Sequence, residues 1–317
     1  MNRSRLVILA VITAAATARS IWMMAPDPTL ASEASAASSS FVPPPESSIP
    51  SGKFGDAVRL GEQVFRETAT FAPEFTGNQL SCSNCHLEAG RLSGAAPMWG
   101  AYVSYPAYRS KNDHVNSFEE RLQECFLYSM NGKKPRSGDP VLVALESYAY
   151  FLAKGLPTGE QVPGRGLPPL AMPAQPPDYG RGAQVFAQNC ASCHGPQGLG
   201  QSVDGKVVFP ALWGPQSFNW GAGMASIKTA AEFIHANMPL GRGGSLSVQE
   251  AWDVATYVDS QIRPQDPRFT GDVQDTRNKF HDTRFSMYGQ AANGIVLGDP
   301  TTTPASGKVQ SQTPSRP

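Results

Sequence analysis

The chain has 317 residues, with 26 basic and 26 acidic side chains and a formal net charge of zero. The basic residues are scattered along the chain, so neither nucleic acid nor a polybasic membrane surface is indicated as a partner. The length suffices for two domains of ordinary size, and 28 prolines with 30 glycines predict a fold rich in loops.

The amino terminus has the pattern of an export signal. A short basic region at residues 1–5 precedes an apolar run over residues 6–18, which Arg19 ends. This run is too short to cross a membrane comfortably and suits a secretory signal, so we expect no stable membrane insertion after cleavage. We predict a signal peptide and flank over residues 1–35, a disordered linker over residues 36–56, and a periplasmic protein. An uncleaved anchor is the alternative.

The pattern Cys-x-x-Cys-His occurs twice, at residues 82–86 and 190–194. It is the attachment signature of c-type haem, in which two thiols add across the haem vinyl groups and the adjacent His supplies the proximal iron ligand. A zinc site would need further fixed ligands, and a thioredoxin-like redox pair does not need the His. We therefore predict two covalently bound haem c groups. The predicted attachment residues are Cys82, Cys85 and His86 in the first copy and Cys190, Cys193 and His194 in the second.

The segments around the two motifs also repeat. The sequence GEQVF at residues 61–65 precedes the first motif, and GAQVF at residues 182–186 precedes the second. Each copy closes with a helical pattern, at residues 141–152 and at residues 247–258. In the second of these, Ser247 is the expected N-cap, with Glu250 as its capping-box partner.

This order of elements predicts an all-α chain with two tandem cytochrome c-type domains, each wrapped around one haem. We place the domains at residues 57–155 and 179–265. The Pro- and Gly-rich linker at residues 156–178 should be an extended strap rather than a packed element. Residues 266–317 form a C-terminal extension, which we expect to be disordered from residue 298 onward.

The distal iron ligand of the second domain is expected to be a methionine. Met224 and Met238 are both candidates, and Met238 precedes Pro239 in a loop before the final helix, like the distal loop of monohaem cytochromes c. A thioether raises the haem potential, as an electron-transfer haem requires. Either methionine could instead be a flexible core residue.

In the first domain, spacing and chemistry favour different ligands. Met130 lies 44 positions after His86, as Met238 does after His194. Cys125, however, is left over after both haems are attached, and a free thiol is unusual in an exported protein. It could be a small buried side chain. As a thiolate it would lower the haem potential, which would make electron flow from domain 1 to domain 2 downhill.

Four stretches resemble the dihaem thiosulfate dehydrogenases, also called tetrathionate synthases, over about residues 54–288. They are CSNCHLEAGR at 82–91, ERLQECFLYSMNG at 120–132, LWGPQSFNWGAGM at 212–224 and FHDTR at 280–284. The resemblance implies that haem 1, with His86 and Cys125 as ligands, is the active site. It also implies that haem 2, with His194 and Met238, relays electrons. Some members carry a Lys before the distal Met and can exchange ligands, whereas this chain has Asn237.

The reaction that the resemblance implies converts two thiosulfate ions into tetrathionate and two electrons, and the reverse reduction would use the same residues. Cations must offset the repulsion between two dianions, and the planar fork of Arg suits sulfonate oxygens. Arg121 lies one helical turn before Cys125. The resemblance implies that the second cation is Arg109 or Lys111, and a count without insertions favours Lys111. All three could instead be solvated surface charges. The expected acceptor is a periplasmic small cytochrome c or another high-potential redox protein.

Three other functions remain open on the sequence. The chain could be an electron carrier with two His/Met haems. It could be another Cys-ligated sulfur-oxidising haem enzyme, one that attaches thiosulfate to a carrier protein. A dihaem peroxidase is less favoured, because it needs an open or displaceable His-type site rather than a thiolate.

Overall fold

The structure is a computed structural model that describes residues 41–302. Helices dominate it, as predicted. The helices are α1 (Lys53–Arg66), α2 (Thr68–Phe71), α3 (Leu87–Gly90), α4 (Met98–Val103), α5 (Phe118–Glu124), α6 (Pro140–Leu152), α7 (Tyr179–Asn189), α8 (Ala191–His194), α9 (Ile227–Asn237), α10 (Val248–Asp259) and α11 (Val273–Phe280). Shorter 3₁₀ turns occur at Glu46–Ser48, Cys82–Asn84 and Gly223–Ala225, and a π-helical turn occurs at Cys125–Ser129.

Three small antiparallel hairpins complete the described part of the chain. They are β1 (Ala107–Arg109) with β2 (His114–Asn116), β3 (Gln201–Val203) with β4 (Lys206–Phe209), and β5 (Ala291–Ala292) with β6 (Ile295–Val296). The first hairpin matters for the site because it places residues 109 and 111 at its turn.

The two repeated Gly residues explain the internal repeat. In the first domain α1 crosses α6, and in the second α7 crosses α10. A Cβ on Gly61 would collide with the carbonyl of Ala144, and a Cβ on Gly182 would collide with the carbonyl of Asp253. Both domains therefore bring their terminal helices into backbone contact at an equivalent Gly, which leaves the haem motif beside the crossing.

The helix caps agree with the predicted boundaries. The Ser247 hydroxyl accepts from the Glu250 amide while the Glu250 carboxylate accepts from the Ser247 amide, which confirms the capping box of α10. Ser117 and Glu120 form the same arrangement at the start of α5. This second box fixes where the helix that leads to Cys125 begins.

The predicted disorder of residues 36–56 is wrong for residues 41–56. The Phe41 ring packs edge-on against Trp99, with ring centroids 5.2 Å apart. The Arg91 guanidinium donates to the Pro44 carbonyl at 2.6 Å, and α1 already begins at Lys53. This segment is ordered because it covers buried aromatic and cationic groups of the first domain, which its composition did not show. The predicted signal peptide lies outside the described residues.

The linker at residues 156–178 contains neither helix nor strand, as predicted, but it is packed. Its Gly164 and Gly166 carbonyls accept from the backbone of Gly94 and Ala96 in the first domain. Its Ala171 carbonyl accepts from the Trp252 indole on α10 at 2.8 Å. The strap therefore connects to both domains along its length.

The C-terminal extension is also more structured than its composition suggests. Tyr288 and Leu297 are almost fully buried and belong to the hydrophobic core that contains Phe65 of α1. The Gly298 carbonyl accepts from the Gln265 side chain at 2.6 Å, so the expectation of disorder is wrong for its start. The rest of that expectation, residues 303–317, lies outside the described residues. None of the described helices is long and apolar enough to cross a membrane.

The described residues form one compact unit in which the two domains share buried polar contacts. The Asn219 side chain donates to the Leu127 carbonyl at 2.9 Å and to the Asn131 side chain at 3.1 Å. The Asn78 side chain donates across to the Ser217 carbonyl at 3.0 Å. These amide contacts fix the loop after Cys125 against the second domain.

Candidate active site

The first Cys-x-x-Cys-His motif lines a cleft in the first domain. Its residues 82–84 form a 3₁₀ turn, and the cleft has a cavity volume of about 170 Å³. Its wall includes side chains from the motif, from α5 and from the π-helical turn after α5. They are Cys82, His86, Arg121, Cys125 and Met130.

Both motif histidines are oriented through one ring nitrogen. His86 Nδ1 lies 2.6 Å from the Ala96 carbonyl, and His194 Nδ1 lies 2.9 Å from the Pro210 carbonyl. Because a carbonyl only accepts, each Nδ1 must carry the proton and donate it, which leaves Nε2 free as a donor to a metal. Burial lowers the pKa of both rings, which favours this neutral form. The residues present therefore fit a haem iron in each domain.

The second cleft is larger and purely uncharged. It has a cavity volume of about 230 Å³, and its lining includes Cys190, Cys193, His194 and Met238. None of the described residues that line it is Asp, Glu, Lys or Arg. Such a lining suits a porphyrin face that exchanges electrons and binds no anion.

The structure brings both distal candidates of the first domain into one cleft. Cys125 opens the π-helical turn Cys125–Ser129, whose end is marked by the Met130 amide donating to the Cys125 carbonyl at 3.0 Å. Such turns are rare and often occur at functional sites. Met130 is 4% exposed and packs in the hydrophobic core, whereas Cys125 is partly exposed.

The two methionines of the second domain occupy different places. Met238 follows α9 and lines the second cleft. Met224 lines both clefts, so it lies between them. On the sequence, both were candidates for the distal ligand of the second haem. Of the two, only Met238 lines the second cleft without also lining the first.

Arg121 is the predicted cation that lies at the first cleft. It projects from α5 and lines the cleft together with Cys125. The negative charge of a Cys125 thiolate raises the pKa of the Arg121 guanidinium, with burial acting against it and Tyr105 and Glu124 adding to the rise. The nearest Glu124 oxygen, Oε2, is 4.0 Å from Arg121 Nη1, whereas the other oxygen, Oε1, accepts a hydrogen bond of 2.7 Å from the Asn112 side chain. Arg121 therefore keeps charge to offer to an anion.

Arg109 and Lys111 have different surroundings, although they are two residues apart. Arg109 Nη1 donates to the Tyr105 hydroxyl at 3.0 Å. The Lys111 ammonium donates to the Gly221 carbonyl of the second domain and lies 3.9 Å from the centroid of the Tyr128 ring. Burial, with Arg268 and Arg121 nearby, lowers the pKa of Lys111 to about 8. Lys111 is thus engaged in the contact between the domains.

The conspicuous motif at residues 280–284 has a structural role. His281 Nε2 lies 2.9 Å from Asp266, and its ring stacks on Tyr288 with centroids 4.3 Å apart. The Arg268 guanidinium binds both oxygens of the same Asp266, at 3.0 and 2.6 Å. Neither this network nor Tyr105 was predicted from the sequence, because neither lies at a recognisable spacing from Cys125.

Comparisons with known proteins agree with this architecture. Residues 68–158 match the family model described as SoxA/TsdA, cytochrome c domain, and residues 177–258 match the model of cytochrome C oxidase, cbb3-type, subunit III. The chain is therefore a tandem of two cytochrome c domains, and two haem c groups are its cofactors, as predicted.

Among its relatives, a thiosulfate dehydrogenase from Thiomonas intermedia is 57% identical, covering 87% of this chain and 88% of that one. One from Stutzerimonas stutzeri is 50% identical, covering 83% and 86%. The chain belongs to the thiosulfate dehydrogenase family, which confirms the resemblance seen in the sequence.

A solved structure shows the same fold over most of the chain. Thiosulfate dehydrogenase (TsdBA) from Marichromatium purpuratum, in its as-isolated form, is 50% identical with a TM-score of 0.80. The match covers 83% of this chain and 58% of that one, so the chain spans somewhat over half the length of that protein.

Proposed function

We propose that this protein oxidises two thiosulfate ions to tetrathionate at its first cleft. Electrons pass from the Cys-ligated haem of domain 1 to the Met-ligated haem of domain 2, and then to a periplasmic acceptor such as a small cytochrome c or a high-potential redox protein. The observation that carries the proposal is the meeting of Cys125, Arg121 and His86 in one cleft. Thiosulfate is also the substrate named for the relatives.

We assign the haem-holding residues by cleft. Each haem is attached through the two motif cysteines of its domain. His86 and Cys125 bind the first iron, and His194 and Met238 bind the second. When bound, each haem supplies an iron that accepts one electron at a time. Asn237 supports Met238 as a ligand of the second iron in both redox states. Its buried side-chain amide donates to the Phe233 carbonyl at 3.2 Å, and an amide cannot exchange with methionine on the iron as the lysine of other members can.

The cations of the first cleft offset the electrostatic repulsion between the negatively charged reactants. Two thiosulfate dianions repel each other, and a thiolate repels both. Arg121 lies at the cleft wall, and Arg109 donates to the hydroxyl of Tyr105, which is also a neighbour of Arg121. Each guanidinium group can bind sulfonate oxygens through two N–H groups. We prefer Arg109 to Lys111 as the second cation because Lys111 already binds the Gly221 carbonyl.

Cys125 is the nucleophilic centre. Its thiolate bonds to the sulfane sulfur of the first thiosulfate, and the two electrons released would be accepted by the two haem groups, one by each, which gives a cysteine S-thiosulfonate. The sulfane sulfur of the second thiosulfate then attacks the sulfane sulfur of the first. That bond forms as the bond to Cys125 breaks, so tetrathionate leaves and the Cys125 thiolate returns. Atoms and charge balance over the two steps.

The position of the clefts supports the electron route. They share lining residues, among them Cys85, Phe218 and Met224. A group held by the first motif and a group held in the second cleft would therefore both contact these side chains.

The test is thiosulfate-dependent reduction of both haems, followed in the visible spectrum, with tetrathionate identified as the product. We expect both haems to be reduced without any added carrier protein. A protein that accepts electrons only from another redox protein would be an electron carrier. One that needs a carrier protein for turnover would be the other type of sulfur-oxidising enzyme.

A further inference from the structure

Tyr105 is a neighbour of both Arg109 and Arg121. It follows α4 and precedes β1, and its ring packs against Phe118 with centroids 5.9 Å apart. Its hydroxyl accepts a hydrogen bond from Arg109 Nη1 at 3.0 Å. The ring is thus held by α5, and its oxygen is available as an acceptor.

Arg121 is the other basic group near this phenol. Tyr105 is among the groups that raise the pKa of Arg121, after the larger effect of Cys125. Burial raises the pKa of the Tyr105 phenol itself, although Arg121 and Arg109 act to lower it. The raised pKa keeps the phenol neutral near pH 7, because even an unperturbed tyrosine is protonated there.

A neutral oxygen is a suitable partner for two guanidinium groups that must bind a dianion. Two cations at close range repel each other and need an acceptor between them. A carboxylate would cancel one of the two charges, whereas a phenol orients the guanidinium N–H groups and leaves both charges in place.

We propose that Tyr105 is a positioning residue of the substrate site, whose hydroxyl holds Arg109 beside Arg121 so that both face one thiosulfate. This inference rests on the proposed function, since it takes thiosulfate as the ligand. It adds a residue that acts on the substrate through Arg109.

The first test is Tyr105→Phe, which keeps the ring on Phe118 and removes only the oxygen. We expect KM for thiosulfate to rise about tenfold, the scale of a hydrogen bond to a charged group, while kcat changes by less than about twofold. Because Tyr105 acts through Arg109, the double variant Tyr105→Phe with Arg109→Ala should be no worse than Arg109→Ala alone. Independent, multiplying effects would overturn the proposal.

The matched control is Tyr102→Phe. Tyr102 packs on the same Phe118 ring, with centroids 5.4 Å apart, and the pKa of its phenol is raised by burial and by Glu146. Its variant should keep the wild-type KM. If both variants raise KM equally, the effect comes from disturbed packing and the proposal is wrong.

A binding measurement separates this inference from the proposed reaction. In a Cys125→Gly background, which cannot turn over, calorimetry should show that Tyr105→Phe weakens thiosulfate binding about tenfold. Weaker binding supports the role of Tyr105 even if the wild type forms no tetrathionate. Equal binding with and without the hydroxyl, or no binding in either protein, overturns it.

Discussion

The two clefts are built on the same plan and differ at a few side chains. Each places a Cys-x-x-Cys-His motif beside a helix crossing at a Gly, and each orients its histidine through a backbone carbonyl. The first adds Cys125 and Arg121, whereas the second adds Met238 and no charged side chain. The same scaffold can therefore carry chemistry in one copy and electron transfer in the other, depending on the distal segment.

The largest expected effect comes from removing the sulfur that distinguishes the first cleft. Cys125→Gly should keep both haems attached, since attachment uses other cysteines, but should lower kcat by about 10³-fold or more, the scale of losing a nucleophile. Steady-state thiosulfate oxidation and the visible spectrum measure the two properties separately. Substantial turnover in this variant would remove the role given to Cys125.

Met130→Ala is the control for the ligand assignment. It shares the cleft with Cys125 and has the spacing to His86 that Met238 has to His194. We expect its absorption and magnetic spectra to keep the thiolate features of the wild-type first haem. A changed distal ligand in this variant would make Met130 the ligand and the spacing argument correct.

The next difference is in redox potential. A thiolate favours Fe(III) and a thioether favours Fe(II), so haem 1 should titrate below haem 2 by on the order of 100 mV or more. A spectroelectrochemical titration that resolves the two haems measures this gap. Equal midpoints would favour the electron-carrier function for both domains.

A smaller effect is expected from the cation that only the first cleft has. Arg121→Ala should raise KM for thiosulfate about tenfold, with a smaller loss in kcat, because a dianion loses a charged hydrogen-bond donor. Arg121→Gln should behave similarly, and Arg121→Lys should recover part of the binding, since it keeps the charge without the planar fork. Wild-type kinetics in Arg121→Ala would place the anion site elsewhere in the first domain.

The smallest effect concerns Lys111, whose pKa is lowered to about 8. Since we assign the second cation to Arg109, KM should stay flat between about pH 7 and 9, where the charge of Lys111 is lost. A KM that rises as pH passes 8 in the wild type, but not in Lys111→Met, would instead make Lys111 the substrate cation.

Lys111 also has a predicted effect on the pH dependence of stability. The pKa of a lysine in a salt bridge is raised, whereas that of Lys111 is lowered, so the two affect stability in opposite directions as pH rises. Its pKa is lower in the folded protein than in the unfolded chain, where it is about 10.4. The folded state thus holds the proton less tightly, so the free energy of unfolding contributed by this group should increase as pH rises from about 8 to about 10. Denaturation of wild type and Lys111→Met across that range tests the sign.

The sequence was most informative where local physics decides the structure. The helical patterns at residues 141–152 and 247–258 and the Ser247 cap predicted helices that the structure confirms. The prediction of disorder was wrong for residues 41–56, because their order comes from tertiary packing against Trp99 and Arg91. Amino-acid composition carries no information on such contacts. Lys111 could not be placed from the sequence, since its partner Gly221 lies 110 residues away.

The C-terminal segment packs back into the hydrophobic core, and this affects how the protein unfolds. Tyr288 and Leu297 lie in a hydrophobic core that contains Phe65 of the first domain and Trp220 of the second. Cutting the chain in the linker would divide this shared core. The two halves should therefore melt in a single cooperative transition, and neither half should fold as an isolated one-haem protein.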